Sequence, residues 1–326
     1  MNKRTRVTGW GLIEAAATLG AVVSAILPLS RWWWVAELAM NFLPLLSACF
    51  VLYAIMECCR RRWMVASLAF GLAIADLLPA LWRDAGITPE PQAPSAETVR
   101  ILQANILTGN PDPHPLLSLI ERERPDVILL QETGEVWQRN LMAITNEYPA
   151  FICEPRGDNL GCAAFLSRKM LASLGTSRPQ LGIRYLSEPR RKASPIACVT
   201  VPFPQAEMRF FGIHPVAPLS DFSWRKRNTF LQVFARLVRG QGRTVVTGDF
   251  NTSSYTPTYR RFLRESGLRD IDSGILPFLT WHASLPWIFR MPLDHCLCSP
   301  DLRVRSLRRC ESIGSDHFPI LLEIER

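Results

Sequence analysis

From Val99 onward the chain is written in short apolar runs that each close on polar residues. They are "VRILQANI", "DVILLQE", "RFFGIH", "RTVVTGDFN", "LDHCLCS" and "FPILLEIE". Apolar runs of this length, bounded by turn residues, read as buried strands. Helical text lies between them: "HPLLSLIERERP", stopped by Pro125, and "SDFSWRKRNTFLQVFARLVRG", stopped by a capping Gly240. Strands and helices mixed along 99–326 confine this region to one α/β domain with a sheet core.

The first 84 residues are different in kind. Three apolar stretches cover 9–29, 33–56 and 63–82. Each approaches or exceeds the roughly 20 residues that cross a bilayer as a helix. Tryptophans 10, 32, 33, 34, 63 and 82 cluster at their edges, where an amphipathic ring suits the membrane–water interface. Buried helices of a soluble domain would need polar faces, which these stretches lack. The expectation is three transmembrane helices and a bilayer as partner. Glu14, Glu37 and Asp76 lie nearer the segment ends than their middles and suit interfacial or packing roles.

Charge gives an orientation. Lys3, Arg4 and Arg6 precede the first stretch, and Arg60, Arg61 and Arg62 separate the second from the third. Positive-inside then puts the N-terminus and the 58–62 loop in the cytoplasm, and everything after Asp84 on the outer, periplasmic side of the inner membrane. "VSA" at 23–25 also reads as a signal-peptidase site, and cleavage there leaves the same side for the rest. The net charge of +8 divides unevenly. Eight basic and five acidic residues fall before position 85, leaving 29 against 24 beyond it. That balance is compatible with an anionic substrate and does not demand one.

Residues 85–98 are rich in Pro, Ala and Ser. They read as a semi-extended tether, about 3 Å per residue and roughly 40 Å in reach. The expected organisation is therefore a membrane region over 1–84, a linker over 85–98 and a second domain over 99–326. Of the nine cysteines, Cys153 and Cys162 flank a short Gly-containing loop and are the expected disulfide pair on the outer side. Cys296 and Cys298, one residue apart, lack the spacing of a zinc site.

The apolar runs deliver polar residues at their ends: Asn105, Glu132, His214, and Asp249 with Asn251. Each alone has a bland explanation, as a turn residue, a solvated carboxylate or a structural histidine. Their order along the chain does not. The series resembles the endonuclease/exonuclease/phosphatase superfamily of metal-dependent phosphodiesterases, in a membrane-anchored, bacterial-type form. Its motifs are matched by "QANI", "LLQET", "GIHPVAP", "TGDFN", "LDH" with Asp294, and "GSDHFPI" with Asp316 and His317. The resemblance spans 99–326 and implies a four-layer α/β sandwich, two mixed sheets face to face with helices outside.

What the resemblance implies about chemistry fits the residue types. A hard Mg²⁺ or Mn²⁺ ion would neutralise phosphate oxygens, with Glu132 and Asn105 as ligands and Asp316 on the same ion or a second one. Asp249 would orient or deprotonate the attacking water, and Asn251 would hydrogen-bond the phosphate or that water. His317, paired with Asp294, is either general base or charged phosphate clamp. His214 would assist the leaving group. Arg190, Arg191, Arg225 and Arg227 are candidates for a phosphate-facing rim, or solvated surface charges, and Asn159 is a further candidate.

The pattern departs from the family in three places. A glutamate supporting the second histidine is not evident, Glu154 and Glu188 being candidates. No tyrosine stands near His214, as it does in abasic-site enzymes, and "WIFRMPLDH" lacks the commoner Arg-hydrophobic-Asp order before Asp294. The expected function is hydrolysis of a phosphodiester or phosphomonoester, of nuclease or phospholipase C type, on nucleic acid or a phospholipid head group. The alternatives are an inactive, membrane-tethered binding module and a transport or signalling protein acting through its helices. Two Asp-His pairs, Asp294-His295 and Asp316-His317, compete for one role. On a strand, neighbouring side chains face opposite ways, so if Asp294 faces the site, His295 faces away, and the dyad is Asp294 with His317.

Overall fold

The computed structural model describes residues 9–81, 89, 98–187, 193–203, 206–271 and 278–325. Most of the linker, Glu188, Arg190, Arg191, Lys3, Arg4, Arg6, Trp82 and Arg83 lie outside the described residues. The chain falls into two compact units, Met1–Arg83 with Tyr255–Pro257, and Asp84–Ser254 with Thr258–Arg326.

The N-terminal unit holds α1 (Gly9–Ile26), α2 (Trp34–Met40), α3 (Leu43–Cys59) and α4 (Trp63–Leu81). With the 3₁₀ turn that follows it, α1 makes a 23-residue apolar helix, Gly9–Arg31, long enough to cross a bilayer. The second expected span is not one straight helix. α2 and α3 meet at a 68° bend, because Pro44 in the first turn of α3 starts a helix well but cannot continue one. In the third, the apolar part is Trp63–Leu78, shorter than a span. The few polar groups between these helices are paired. Ser24 Oγ donates to Asp76 Oδ2 (2.8 Å), and Ser47 Oγ donates to the Ala73 carbonyl (2.9 Å). Arg60 and Arg62 pair with Glu14 and Glu57.

The second unit is built on two six-stranded sheets. One has the order β11 (Val304–Arg309), β12 (Ile320–Glu325), β1 (Thr98–Asn105), β2 (Val127–Gln131), β4 (Cys162–Leu166), β3 (Ala150–Glu154). The other runs β5 (Gln180–Arg184), β6 (Ile196–Pro202), β7 (Glu207–Ile213), β8 (Thr244–Asp249), β10 (Asp294–Cys298), β9 (Arg269–Asp270). Each sheet is mixed, with one parallel pair at its centre: β1 with β2, and β7 with β8.

Strand alternation sorts the side chains. Val99, Ile101, Val127, Leu129, Phe210, Val245 and Ile320 share one core between the sheets. The alternate residues meet helices outside. On the first sheet these are α5 (His114–Glu123) and α6 (Glu135–Leu141). On the second they are α8 (Asp221–Val238) and α9 (Pro257–Ser266). A side chain of this size, fully buried, stabilises by about 1.5–3 kcal/mol, so both inner and outer layers fix strand register. The result is an α/β domain, as the strand pattern predicts, in the four-layer sandwich form that the resemblance implies.

The expected Cys153–Cys162 disulfide is not formed. All described cysteines are free thiols. Cys162 lies in the inter-sheet core while Cys153 packs on the helix side. Opposite faces of one sheet cannot be bridged without moving the backbone.

Candidate active site

Parallel β1/β2 and β7/β8 end at a common rim, and the polar residues gather there. Alternation carries Asn105 of β1 and Asp249 of β8 into the gap between the sheets, in step with inner core residues such as Ile101 and Val245. Glu132 breaks that step. By parity it would join Ile128 and Leu130 on the helix side, but its backbone is left-handed (φ 61°). A left-handed residue turns the chain out of the strand, and its carboxylate returns to the rim beside Asn105.

Two glycines are required by close approach. A Cβ on Gly161 would lie 1.9 Å from the Thr133 carbonyl oxygen, at the corner that follows Glu132. A Cβ on Gly248 would lie 2.0 Å from the Ile213 carbonyl oxygen, and its φ is 144°. The "TGDFN" stretch thus needs its glycine to bring Asp249 against the end of β7.

The rim is one connected polar cluster. Asn105 Nδ2 donates to Glu132 Oε1 (3.0 Å) and Asp249 Oδ2 (3.3 Å). His214 Nε2 lies 3.3 Å from Asp249 Oδ2 and 3.9 Å from Glu132 Oε1. His317 Nδ1 meets Asp294 Oδ2 at 2.7 Å, and its Nε2 lies 3.6 Å from Asp249 Oδ2. Asn251, with φ 50°, donates its backbone N–H to Asp249 Oδ1 (2.8 Å) and its side-chain Nδ2 to the Pro215 carbonyl (3.0 Å). Asp316 is tied in less directly. Its carboxylate accepts from Trp281 Nε1 (2.9 Å), and the neighbouring Ser315 Oγ donates to the Asn105 carbonyl (2.8 Å).

Burial opposes charge on His317, but Asp294 and Asp249 outweigh it and push its pKa up to about 10. His214 is raised for the same reason, burial being overcome by Asp249 and Glu132. Asp249 is held below the usual carboxylate range: burial would raise it, and the two imidazoles more than compensate. His317 is therefore cationic and Asp249 anionic near neutrality, and His214 is shifted toward its charged form.

The donor set suits a hard divalent cation. Four carboxylates (Glu132, Asp249, Asp294 and Asp316) face two imidazoles across this rim, and oxygen donors predominate. The amide of Asn105 bridges Glu132 and Asp249 with its N–H groups, the neutral stand-in for a positive charge between two anions. Among the described residues, no three His, Cys, Asp or Glu side chains are grouped so as to hold a metal ion by themselves.

Several supporting residues escaped the sequence reading. Gln103 Nε2 donates to Asp294 Oδ1 (2.9 Å) and Gln131 Oε1 (2.8 Å), orienting the carboxylate that holds His317. Its signal was present: residue 103 shares a strand face with residue 105. Trp281 and Ser315 carried no comparable signal. Arg227 is buried, its Nη1 donating to the Asn251 carbonyl (2.6 Å), so it braces the rim from below. Arg225 is a surface residue paired with Asp221. Asn159 is exposed in the β3–β4 turn. His214 Nδ1 is buried with no hydrogen-bond partner, so no glutamate among the described residues bonds to that nitrogen. His295 turns away: its Nε2 meets the Thr252 carbonyl (2.8 Å), and its ring lies against Tyr259 (4.2 Å) and Phe250 (5.2 Å).

Comparison with known proteins agrees with this architecture. D. rerio TDP2, in a complex with single strand DNA product, superposes with a TM-score of 0.53 at 16% identity, covering 70% of this chain and 99% of that one. The endonuclease/exonuclease/phosphatase from Beutenbergia cavernae gives 0.54 at 18%, over 70% and 72%. The human Nocturnin catalytic domain with bound sulfate anion gives 0.52 at 19%, over 76% and 98%. At these identities the likeness is one of fold. A search of curated protein sequences finds no match. The model of the Endonuclease/Exonuclease/phosphatase family matches residues 102–317, from β1 through His317. The chain belongs to the endonuclease/exonuclease/phosphatase family.

Proposed function

We propose that this protein is a membrane-anchored, divalent-metal-dependent hydrolase of phosphodiester bonds. The observation that carries the reading is the convergence of Asn105, Glu132, His214, Asp249, Asp294 and His317 at one rim, within hydrogen-bonding or ion-pairing reach of one another. Members of the family hydrolyse phosphodiesters and phosphate esters, which supports the reaction class.

Glu132 and Asn105 would hold the ion, Mg²⁺ or Mn²⁺, with Asp316 as a further carboxylate at the rim. When bound, it would supply Lewis-acid neutralisation of the phosphate oxygens. The protein's own groups do the rest. Asp249 is the anionic acceptor that orients a water. His317, held as a cation by Asp294, faces the rim through Nε2 and donates to a phosphate oxygen. His214 offers a second proton, suited to a leaving oxygen. Asn251 fixes the Asp249 carboxylate through its backbone. Both nucleic acid and a phospholipid head group meet these requirements, and the DNA product bound by D. rerio TDP2 supports the former.

Anchoring rests on the N-terminal unit. Its helices expose Leu19, Leu52, Met64 and Leu68, an exterior suited to lipid rather than water. With α1, the bent α2–α3 pair and α4 each crossing the bilayer, the arginines at 60–62 between α3 and α4 would face the cytoplasm and the catalytic domain the outer side.

Purified protein is expected to hydrolyse bis(p-nitrophenyl) phosphate with Mg²⁺ or Mn²⁺, to stop on EDTA, and to fail as Glu132→Ala. Turnover undiminished by EDTA and by Glu132→Ala would overturn the assignment. DNA, RNA and phospholipid compared in the same assay sort the substrate class. Reporter fusions after Asp84 that are active only in the cytoplasm would overturn the orientation.

A further inference from the structure

Two loops leaving the catalytic rim carry apolar side chains into solvent. Residues 284–289, "SLPWIF", are six consecutive exposed positions. Within them Leu285, Trp287, Ile288 and Phe289 are 41%, 61%, 45% and 42% exposed. The second loop follows His214 and leads into α8, where Leu219 in the loop and Phe222 in the first helical turn are 76% and 78% exposed. Single exposed apolar residues are ordinary on any surface. Four in one short run, with two more where the other rim loop enters α8, mark an interaction surface.

The larger projection is preformed. Phe289 N donates to the Pro286 carbonyl (3.0 Å) and Arg290 N to that of Trp287 (3.2 Å), closing a 3₁₀ turn. The Arg290 guanidinium staples its base, donating to the carbonyls of Leu285 (2.8 Å) and Ala283 (3.2 Å) and lying 4.8 Å over Phe318. On the second loop, Ser220 and Ser223 form a capping box that starts α8. Both loops are rooted in the site: Ala283 N donates to the Asp316 carbonyl (2.7 Å), and the Pro215 carbonyl accepts from Asn251.

We propose that this apolar rim docks the catalytic domain on a lipid bilayer, so that the phosphoester reaching the site belongs to a membrane lipid. The catalytic half of this statement rests on the hydrolase reading above; the docking half does not. Aliphatic side chains mixed with a tryptophan and edged by arginine make an interfacial anchor. Arg290 and Arg309 both lie on the ring of Phe318, at 4.8 and 4.4 Å, and both donate to backbone carbonyls. Occupied in this way, they add positive charge beside the patch, complementing a diffuse anionic lipid surface. They form no track for a nucleic-acid backbone, and half of the projecting side chains, Leu219, Leu285 and Ile288, carry no ring on which a base stacks.

The test uses the full chain in nanodiscs of phosphatidylcholine with phosphatidylglycerol, with and without acyl-brominated lipid. The chain has 10 tryptophans, so the emission difference between wild type and Trp287→Phe isolates Trp287. That difference is expected to be lost in brominated discs and kept in plain ones. A second arm compares Trp287→Ser/Ile288→Ser with wild type. Hydrolysis of disc phospholipid is expected to fall at least about tenfold, the factor that corresponds to about 1.4 kcal/mol of lost docking energy. Hydrolysis of bis(p-nitrophenyl) phosphate is expected to hold at the wild-type level. Equal Trp287 emission in both discs overturns docking, whether or not the protein is active. Quenching by single-stranded DNA in place of bromolipid overturns it in favour of nucleic acid. Quenching by bromolipid with no hydrolysis of either substrate upholds docking and sinks the hydrolase reading instead.

Discussion

His317 and His295 each follow an aspartate, and each is almost fully buried, at 4% and 5% exposure. Their surroundings have nothing else in common. His317 sits between the carboxylates of Asp294 and Asp249, with Trp281 nearby. His295 sits among Phe250 and Tyr259 and reaches a backbone carbonyl. The strand explains the split. Asp294 and His295 are consecutive on β10, so one enters the inter-sheet gap and the other the helix layer. The two Asp-His pairs are the same words with different partners, and the dyad that forms takes one residue from each.

The comparison can be broken at its strongest point. Asp294→Asn replaces the anion beside His317 with a neutral amide, leaving that imidazole in surroundings closer to those of His295. Turnover is expected to fall at least about tenfold, one unit of proton affinity being worth that factor. Steady-state hydrolysis of bis(p-nitrophenyl) phosphate reads it, and wild-type turnover would show that the Asp294 charge does not matter.

A second difference concerns pH. In metal-free protein the folded pKa of His317, about 10, stands above the ordinary 6.5. A raised histidine contributes stability that is fully present below pH 6.5 and is lost as pH climbs toward 10. His214 is raised too and acts in the same direction. Denaturant unfolding from pH 6 to 10 is expected to show declining stability, with a shallower decline in His317→Asn. An unchanged slope in that variant would contradict the charge assignment.

The smallest effect sharpens the boundary of the site. Trp281→Phe removes one N–H donor to Asp316 while keeping the ring beside His317. The loss of one such hydrogen bond costs about 0.5–1.5 kcal/mol. Turnover should therefore drop by less than about tenfold, visible in kinetics at limiting Mn²⁺.

Six of the twelve described strands, β1, β2, β7, β8, β10 and β12, were legible because they are apolar and end in polar residues, as "TVVTGD" does on β8, whereas strands such as β5 and β11 carry exposed polar residues and were not. The site residues were legible as an ordered series, and alternation alone separated His295 from Asp294. Position-dependent features were not. No sequence pattern announces that Glu132 takes a left-handed backbone, or that Arg227, an ordinary helix arginine in text, is buried under Asn251. Cys153 and Cys162 were misjudged because loop proximity says nothing about sheet face. The bend between α2 and α3 had its signal in Pro44, which a count of apolar residues passes over.

The two histidines do different work. His317→Ala and His295→Ala, assayed side by side with Mn²⁺ on the same phosphodiester, test this most directly. His317→Ala is expected to lose about 10²–10⁴-fold in turnover, the usual worth of a positioned proton-handling group. His295→Ala should stay near wild-type turnover while unfolding more easily. Equal losses in the two variants, or a larger loss in His295→Ala, would contradict the assignment of the site.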